Sequence, residues 1–515
     1  MLSFRLTKGT SIENPTIGED AFLQYLSSGI QILTGIIFYL ITIRLFDQAY
    51  VGAIAMYFSI IGLFQVIFTL GLGNATQHFV SYNIGKREFS AIASLLRKII
   101  FLGMFLSLIA ASLLFVLSGY VSMLFLHSYL YIHQVRLISL VLAGNILYAV
   151  FNGSLLGLQR FRSSAAINIG VWIIYYLGAV LLYLLFKSTD WLIYGWLVGI
   201  FFGIALDGVF IVKRLLQFPK GRFTSIQVKT IFIYSIPVLF GAFINFGAAY
   251  ADRFIVASLL DLSLLGVYNI AILIALSLEL IATPFNNILM PKFSEWYGKG
   301  DRKKISSVVK LSSLLLSAAY IPASIGISAL GYLVIEFIAG TTYLGSYMPL
   351  GIILFSSSFF ITSNILGKAV AAVRKTKALV VSSAASFLIN VLLSLILIPK
   401  FGLVGASIGF SSVYALNFVV LYLYAKKEDV VAFDLLGFSK VWIASLIMFG
   451  ILTYLIHIFG TFLFYLPIYI IVGIGLYSFL IKLFKLFSRE DSIALISLFG
   501  ENGKILRKIV GFFLI

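Results

Sequence analysis

The sequence predicts an all-α polytopic membrane protein: about 14 transmembrane helices, arranged as two six-helix lobes related by a pseudo-twofold along the membrane normal, plus a C-terminal helical hairpin. Three observations predict this fold. The chain is 61% hydrophobic and 11% charged with a mean hydropathy of +1.07, too little polar residue to cover a soluble globule. Its apolar residues come in continuous runs of about 18 to 25, the length that crosses roughly 30 Å of hydrocarbon. Landmarks in residues of about 20 to 215 recur about 214 positions later. The runs are unbroken rather than alternating, which excludes an outer-membrane barrel with its strands of about ten residues.

Spans 1 to 6 fall at about 21–43, 52–73, 97–117, 135–157, 165–186 and 191–212. Spans 7 to 12 follow at about 231–256, 263–287, 308–330, 347–370, 378–398 and 402–424. Spans 13 and 14, at about 439–459 and 461–484, lie outside the repeat and form the added hairpin. Without a gap, Asp47 and Gly52 fall opposite Asp261 and Gly266, Phe79 opposite Phe293, and Tyr129 opposite Tyr343. Gly153 likewise meets Gly367, Arg160 meets Arg374, Gly195 meets Gly409 and Lys213 meets Lys427. Because six is even, both repeats enter from the same side, so the axis lies along the membrane normal. Internal repeats of this size mark a secondary transporter with its site at the repeat interface.

The expected boundaries are a cytoplasmic N-terminus at 1–19, an N-lobe at 20–212, a cytoplasmic inter-lobe linker at 213–230, a C-lobe at 231–430, spans 13 and 14 within 438–485, and a tail at 486–515. Pro219, Gly221 and five basic residues make the linker the expected hinge. The tail reads equally as a surface-lying amphipathic helix or a plain cytoplasmic tail.

Assigning alternate inter-span segments to one side places there all 37 Lys and Arg but Arg44, Arg136, Lys187, Arg253 and Lys400. Basic residues collect on the cytoplasmic side, so both termini are expected there, in the cell membrane. The net charge of +18 thus describes cytoplasmic loops such as Arg302, Lys303 and Lys304, suited to anionic headgroups; scattered among apolar spans, these charges do not form a nucleic-acid surface. The N-terminal stretch has Arg5 and Lys8 but no apolar core before Pro15, so it does not read as a cleaved signal peptide. The absence of cysteine rules out disulfides, thiolate metal sites and thiol nucleophiles. Gly85-Lys86 and Gly298-Lys299 lack the upstream glycine and the Ser/Thr of a Walker A loop, so this chain does not power transport by hydrolysing ATP. His78, His127, His133 and His457 lack metal-ligand spacing and read as packing or interface residues. Gly153 and Gly157, then Gly199 and Gly203, have the spacing of close helix packing in lipid.

A charge inside a span costs several kcal/mol unless paired or wet, so each one is a candidate site. Asp252 and Arg253 sit in the outer third of span 7 and point about 100° apart on the helix, so they do not simply pair. Two readings are open: Arg253 holds a phosphate from a wet cavity with Asp252 tuning it, or both snorkel to the interface. Glu279, in the middle of span 8 and five residues before Pro284, reads as a proton-linked carboxylate that couples an ion or as a buried structural group. Its repeat partner is Gln65, so a polar group occupies this depth twice. Asp207, near Lys213 at the cytoplasmic end of span 6, is expected to snorkel. Amides recur within spans at Gln31, Asn74, Gln77, Asn145, Asn152, Asn168, Asn245, Asn269, Asn390 and Asn417; such side chains line sugar-binding cavities or bridge helices.

Several stretches resemble the polysaccharide-transporter family, whose superfamily also holds multidrug exporters and lipid II flippases. Arg44-Leu45-Phe46-Asp47-Gln48-Ala49-Tyr50-Val51-Gly52 resembles the family's first outer turn, with Asp47-Gln48 in place of its Gly-Pro-Glu. Tyr250-Ala251-Asp252-Arg253 followed by Leu265-Gly266-Val267-Tyr268 is similar to its span 7 and 8 pattern, and Pro291-Lys292-Phe293-Ser294-Glu295 to the loop after span 8. The most specific match is Asn390 with Leu397-Ile398-Pro399-Lys400-Phe401-Gly402-Leu403-Val404-Gly405-Ala406. The resemblance covers spans 1 to 12 and implies a Wzx-like flippase for polyprenyl-diphosphate-linked oligosaccharide. It implies no catalytic residue, no cofactor and no metal, a monomer in contact with membrane lipid, and glycan-assembly enzymes as partners. Arg253, Asp252, Gln65 and Asn390 are then the candidate substrate-binding residues and Glu279 the candidate ion-coupling residue. The cavity arginines of lipid II flippases are largely missing from these spans. A Na⁺- or H⁺-coupled multidrug exporter is the rival transport reading, allowed by Asp252 and Glu279. A polyprenyl-dependent glycosyltransferase would need a sizeable outer loop bearing catalytic groups; here the outer loops are short and Asp47, Asp190, Asp261 and Glu336 are dispersed among them.

Overall fold

The computed structural model describes residues 17–86, 88–217, 228–279 and 283–486. Pro219 and Gly221 of the expected hinge, most of the expected N-terminal segment and the tail beyond 486 lie outside these residues. Among the described residues the chain is helical without strands, and fourteen helices are long and apolar enough to cross a membrane. Each corresponds to one of the fourteen predicted spans.

The first repeat runs through α1 (Ile17–Leu45), α2 (Gln48–Thr69), α3 (Leu72–Gly85), α4 (Phe89–Val116), α5 (Ser118–Leu126), α6 (Ile132–Gly157), α7 (Phe161–Ile173), α8 (Ala179–Phe186) and α9 (Asp190–Leu215). The second runs through α10 (Val228–Leu259), α11 (Leu262–Glu279), α12 (Thr283–Gly298), α13 (Arg302–Ala329), α14 (Gly331–Ala339), α15 (Tyr347–Ala372), α16 (Lys377–Phe401) and α17 (Leu403–Lys427), followed by the hairpin α18 (Leu435–Phe459) and α19 (Leu466–Leu483). Shifting the first series by about 214 residues superposes it on the second, element for element. The turns nearly agree as well: the positive-φ residues Gln159 and Arg374, and Lys187 and Gly402, fall within one residue of corresponding positions. The repeats differ in span 5, where a π-helical turn at Ile174–Gly178 separates α7 from α8, whereas α16 is continuous.

One span ends earlier than expected. Leu70 and Gly71, at φ 48° and 67°, turn the chain out of α2, so α3 is a separate helix. An apolar run does not register a left-handed pair, which explains the overlong expectation of 52–73. Residues 280–282 lie outside the described ones, with α11 reaching Glu279 before them and α12 running from Thr283 after them.

The residues form two compact units. The first comprises Met1–Tyr39, Ile67–Val116 and Arg136–Leu239. Its helices approach closely at glycines. A Cβ on Gly195 would lie 2.3 Å from Ala179 Cα and one on Gly199 2.7 Å from Tyr175 N, so α9 lies against span 5 backbone to backbone. Gly73 and Gly153 likewise bring α3 onto α6. Arg162 on α7 ties down α1 through Glu19 at 2.6 Å and Asp20 at 2.9 Å.

The second unit comprises Leu40–Val66, Leu117–Val135 and Phe240–Ile515. Within it, Gly52 of α2 crosses Gly266 of α11. A Cβ on Gly52 would meet Leu262 O at 2.0 Å, and one on Gly266 would meet Gln48 O at 2.1 Å. Because Gln48 and Leu262 are themselves repeat partners, the contact is isologous, as a twofold produces. Other bonds join the same ends of the two repeats: Arg44 donates to Phe337 O, Gln48 to Thr342 O, and His127 Nε2 lies 2.7 Å from Ala257 O and 3.1 Å from Leu260 O. Since carbonyls only accept, His127 Nε2 carries the proton and caps the C-terminal end of α10.

The hairpin packs on α13 through Leu314, Ile321, Ile325, Met448, Leu452 and Tyr469. Tyr477 anchors it by donating to Ala318 O at 2.7 Å. Tyr477→Phe removes that bond and leaves a buried carbonyl without it, so a loss of about 1 kcal/mol is expected as a lowered melting temperature in detergent. Beside this bond lies an apolar cavity of about 470 Å³ lined by Leu315, Pro322, Met448, Leu452, Gly473 and Ile474, among others.

Candidate functional site

The second unit gathers the span-borne charges of α10 and α11. Asp252 has no exposed surface and Arg253 is 5% exposed, so neither snorkels. The helix turns them to different neighbours, as their adjacency requires. Asp252 Oδ2 accepts a 2.7 Å hydrogen bond from the Tyr268 hydroxyl on α11, while Oδ1 has no partner among the described residues. Asn390, fully buried on α16, lies beside this carboxylate, but its amide donates to Ala248 O at 3.1 Å and its Oδ1 accepts from Ser394 at 3.0 Å. Asn390 therefore grips α10 one turn before Asp252.

Arg253 folds back along its own helix. Its Nη1 donates to Ala249 O at 2.9 Å and its guanidinium lies 4.2 Å from the Tyr250 ring centroid. Tyr250 in turn stacks on Phe246 at 4.7 Å, and Phe246 packs where Gly62 leaves α2 without a side chain. Among the described residues Arg253 forms no ion pair within 4.0 Å, and its buried Nε has no acceptor. A cation–π contact is worth roughly 2 kcal/mol when desolvated, less than the several kcal/mol of burying a charge. The site thus holds a guanidinium with unspent donors.

Glu279 lies in α11, next to the undescribed residues 280–282, and is half-buried. It accepts a hydrogen bond from the Tyr414 hydroxyl on α17, and Tyr320 on α13, fully buried, lies within its electrostatic reach. The Arg253 charge reaches both Tyr268 and Tyr414. Each carboxylate is thus held by a tyrosine hydroxyl, and both tyrosines lie in the field of Arg253. Gln65 is half-buried on α2, one turn beyond Gly62.

The tyrosines are what sequence reasoning missed. Tyr268 stood within the Leu265-Gly266-Val267-Tyr268 stretch, but among 28 tyrosines in an apolar chain a hydroxyl partner looks the same as a packing ring. Asparagines away from this site mostly bridge: Asn152 to Ser164, Tyr148 to Asn168, Ser382 to Asn417 and Ser383 to Asn245. Asp207 departs from expectation, because it is fully buried rather than snorkelling. His78 stacks on Tyr234 at 4.7 Å, and no group of three His, Asp or Glu able to hold a metal occurs among the described residues. Outside the spans, Lys299 at 2.6 Å from the Glu295 carboxylate holds it below the usual range.

A helical bundle of fourteen spans with buried charges between them is a multi-pass membrane protein of transporter fold. It shares that fold with the solved lipid II flippase MurJ in an inward closed conformation, at a TM-score of 0.69 and 18% identity over 90% of this chain and 98% of that one. An inward-facing multidrug resistance MATE family transporter of the MOP superfamily matches at a TM-score of 0.63 and 13% identity, over 79% of this chain and 98% of its own. The chain belongs to the polysaccharide biosynthesis protein family, which matches residues 41–348. Among curated relatives, the probable low-salt glycan biosynthesis flippase Agl15 of Haloferax volcanii is 23% identical over 428 residues, 82% of this chain and 86% of that protein.

Proposed function

We propose that this protein is a flippase that moves polyprenyl-diphosphate-linked oligosaccharide from the cytoplasmic to the outer leaflet of the cell membrane, for cell-surface polysaccharide or glycan assembly. The observation that carries this reading is Arg253: a guanidinium 5% exposed, without a carboxylate in ion-pair range, in a chain of a polysaccharide biosynthesis family. Its unspent fork of donors matches a phosphate. Asp252 and Asn390 position α10, Glu279 takes the coupling cation, and Gln65 contributes an amide from α2. Nothing in this scheme forms or breaks a covalent bond, so the protein is a transporter rather than an enzyme, working as a monomer that hands its cargo to glycan-assembly enzymes.

A sugar headgroup crossing lipid unaided loses roughly 2 to 7 kcal/mol for each hydroxyl left without a partner. A wet path through the protein removes most of that cost, while the polyprenyl tail stays in lipid. The apolar cavity of about 470 Å³ against α13, α18 and α19 suits such a tail. With both termini cytoplasmic, the Gly52–Gly266 crossing and the Arg44, Gln48 and His127 bonds lie at the outer ends, and alternating access requires them to part.

The test is reconstitution: proteoliposomes carrying a fluorescent polyprenyl-diphosphate oligosaccharide on the inner leaflet, scored by an external lectin. Protein-dependent appearance is expected. No appearance, together with uptake of a fluorescent organic cation against a Na⁺ or H⁺ gradient, would replace the flippase with an exporter. A diphosphate with about two negative charges moving outward gains roughly 4 to 5 kcal/mol per 100 mV, inside negative. If half of this acts at the barrier, the rate rises roughly 50-fold. Equal rates at zero and 100 mV would show that the charge does not cross the field in the slow step.

A further inference from the structure

The first unit has its own buried acid, unused by the scheme above. Asp207 on α9 has no exposed surface, and neither of its carboxylate oxygens has a hydrogen-bond partner among the described residues. Asp252 and Glu279, in contrast, each accept from a tyrosine. Helix packing places Asp207 against α6: a Cβ on Gly203, one turn earlier, would lie 2.6 Å from the Tyr148 ring, and one on Gly208 3.3 Å from Phe151.

Polar groups from α6 and α7 surround Asp207 and bond to one another. Asn152 on α6 is the side chain within reach of the carboxylate, and one of its two amide hydrogens goes to Ser164 Oγ on α7 at 3.0 Å. The Tyr148 hydroxyl donates to Asn168 Oδ1, and the Asn168 amide reaches Ser164 at 3.5 Å. No lysine or arginine among the described residues pairs with Asp207, and Tyr148 is the titratable side chain within its electrostatic reach; α7 presents Ser164 and Asn168 there.

We propose that Asp207, with Asn152 and Tyr148 beside it, forms a monovalent-cation site in the first repeat, taking a proton or an alkali ion. A bare carboxylate at this depth costs several kcal/mol, and a single positive charge removes the imbalance. A divalent ion would leave a net charge, because no second carboxylate joins the cluster. Carboxylate, amide and phenol oxygens are the donors that a hard cation selects. The repeat partner of Asp207 is Leu421, so the site belongs to one repeat alone and differs from the Glu279 position.

The test uses the full-length protein in detergent without any glycolipid, so its outcome is independent of the flippase reading. Binding of ²²Na⁺ and melting temperature across pH, in sodium, potassium or N-methylglucamine chloride, are measured for the wild type, Asp207→Asn and Asn152→Ala. Loss of sodium binding in Asp207→Asn, with about tenfold weaker binding in Asn152→Ala, identifies an alkali-ion site. Loss of only the pH dependence in Asp207→Asn identifies a proton site. If Asp207→Asn does not fold, weaker sodium binding or a displaced pH midpoint in Asn152→Ala still supports the site. Ion and pH responses that are absent from the wild type, or that persist unchanged in the variants, overturn it.

Discussion

Gly52→Ala is expected to destabilise the folded protein by about 1 to 3 kcal/mol and to depress transport, and Gly266→Ala to do the same. At both positions the added methyl meets backbone, at 2.0 Å from Leu262 O and 2.1 Å from Gln48 O. A flexible side chain could turn away, but a helical carbonyl moves only with its helix, so α2 and α11 must separate by more than an ångström. The double variant is expected to cost less than the two single changes together, because one separation accommodates both methyls; coupling of this kind marks residues that share a contact. Gly450→Ala on α18 is the control, since nothing lies within 4 Å of its Cβ and alanine favours the helix by about 1 kcal/mol. Thermal unfolding in detergent gives the stabilities. Additive losses at Gly52 and Gly266 would mean that the two glycines do not meet.

The crossing shows how far the sequence could be read. Gly52 and Gly266 align at the repeat offset, so their equivalence was visible, but alignment does not say that equivalent residues touch. Only closure about a twofold brings them together, and that lies in the packing. The fourteen spans were legible because hydrocarbon demands long apolar runs, and composition records those directly. Span 2 was overextended because the left-handed pair Leu70 and Gly71 leaves no mark in an apolar run. The charges were legible as candidates, since a bilayer makes each one conspicuous. Their partners were not. Asp207 lies a turn and a half from Lys213, which suggested a shared route to the surface, but the helix face it occupies is closed by Tyr148 and Phe151. Tyr268 and Tyr414 were hidden because tyrosine serves an apolar interior and a carboxylate equally well.

Arg253→Ala is expected to lower transport of a lipid-linked diphosphate by 100-fold or more while leaving the melting temperature unchanged or raised. The two effects separate because the guanidinium is a cost to the fold. Its donors are only partly used, by Ala249 O and the Tyr250 ring, and removing an unpaired buried charge relieves the protein. Two charge-assisted hydrogen bonds to phosphate, at about 1.5 to 3 kcal/mol each, account for a factor of at least 100 in rate. Arg253→Lys keeps the charge but not the planar fork, so an intermediate loss is expected. Tyr250→Leu removes the stacking surface and leaves the donors in place, which is expected to lower transport by less than tenfold. If the guanidinium spans both phosphates, the loss in Arg253→Ala is larger for a polyprenyl diphosphate than for a polyprenyl monophosphate carrying the same sugar. A purely structural arginine predicts the opposite pattern: a lower melting temperature and equal losses on both lipids. Wild-type transport by Arg253→Ala would remove the phosphate contact from the mechanism and leave the buried charge to be explained by the Asp252 field alone.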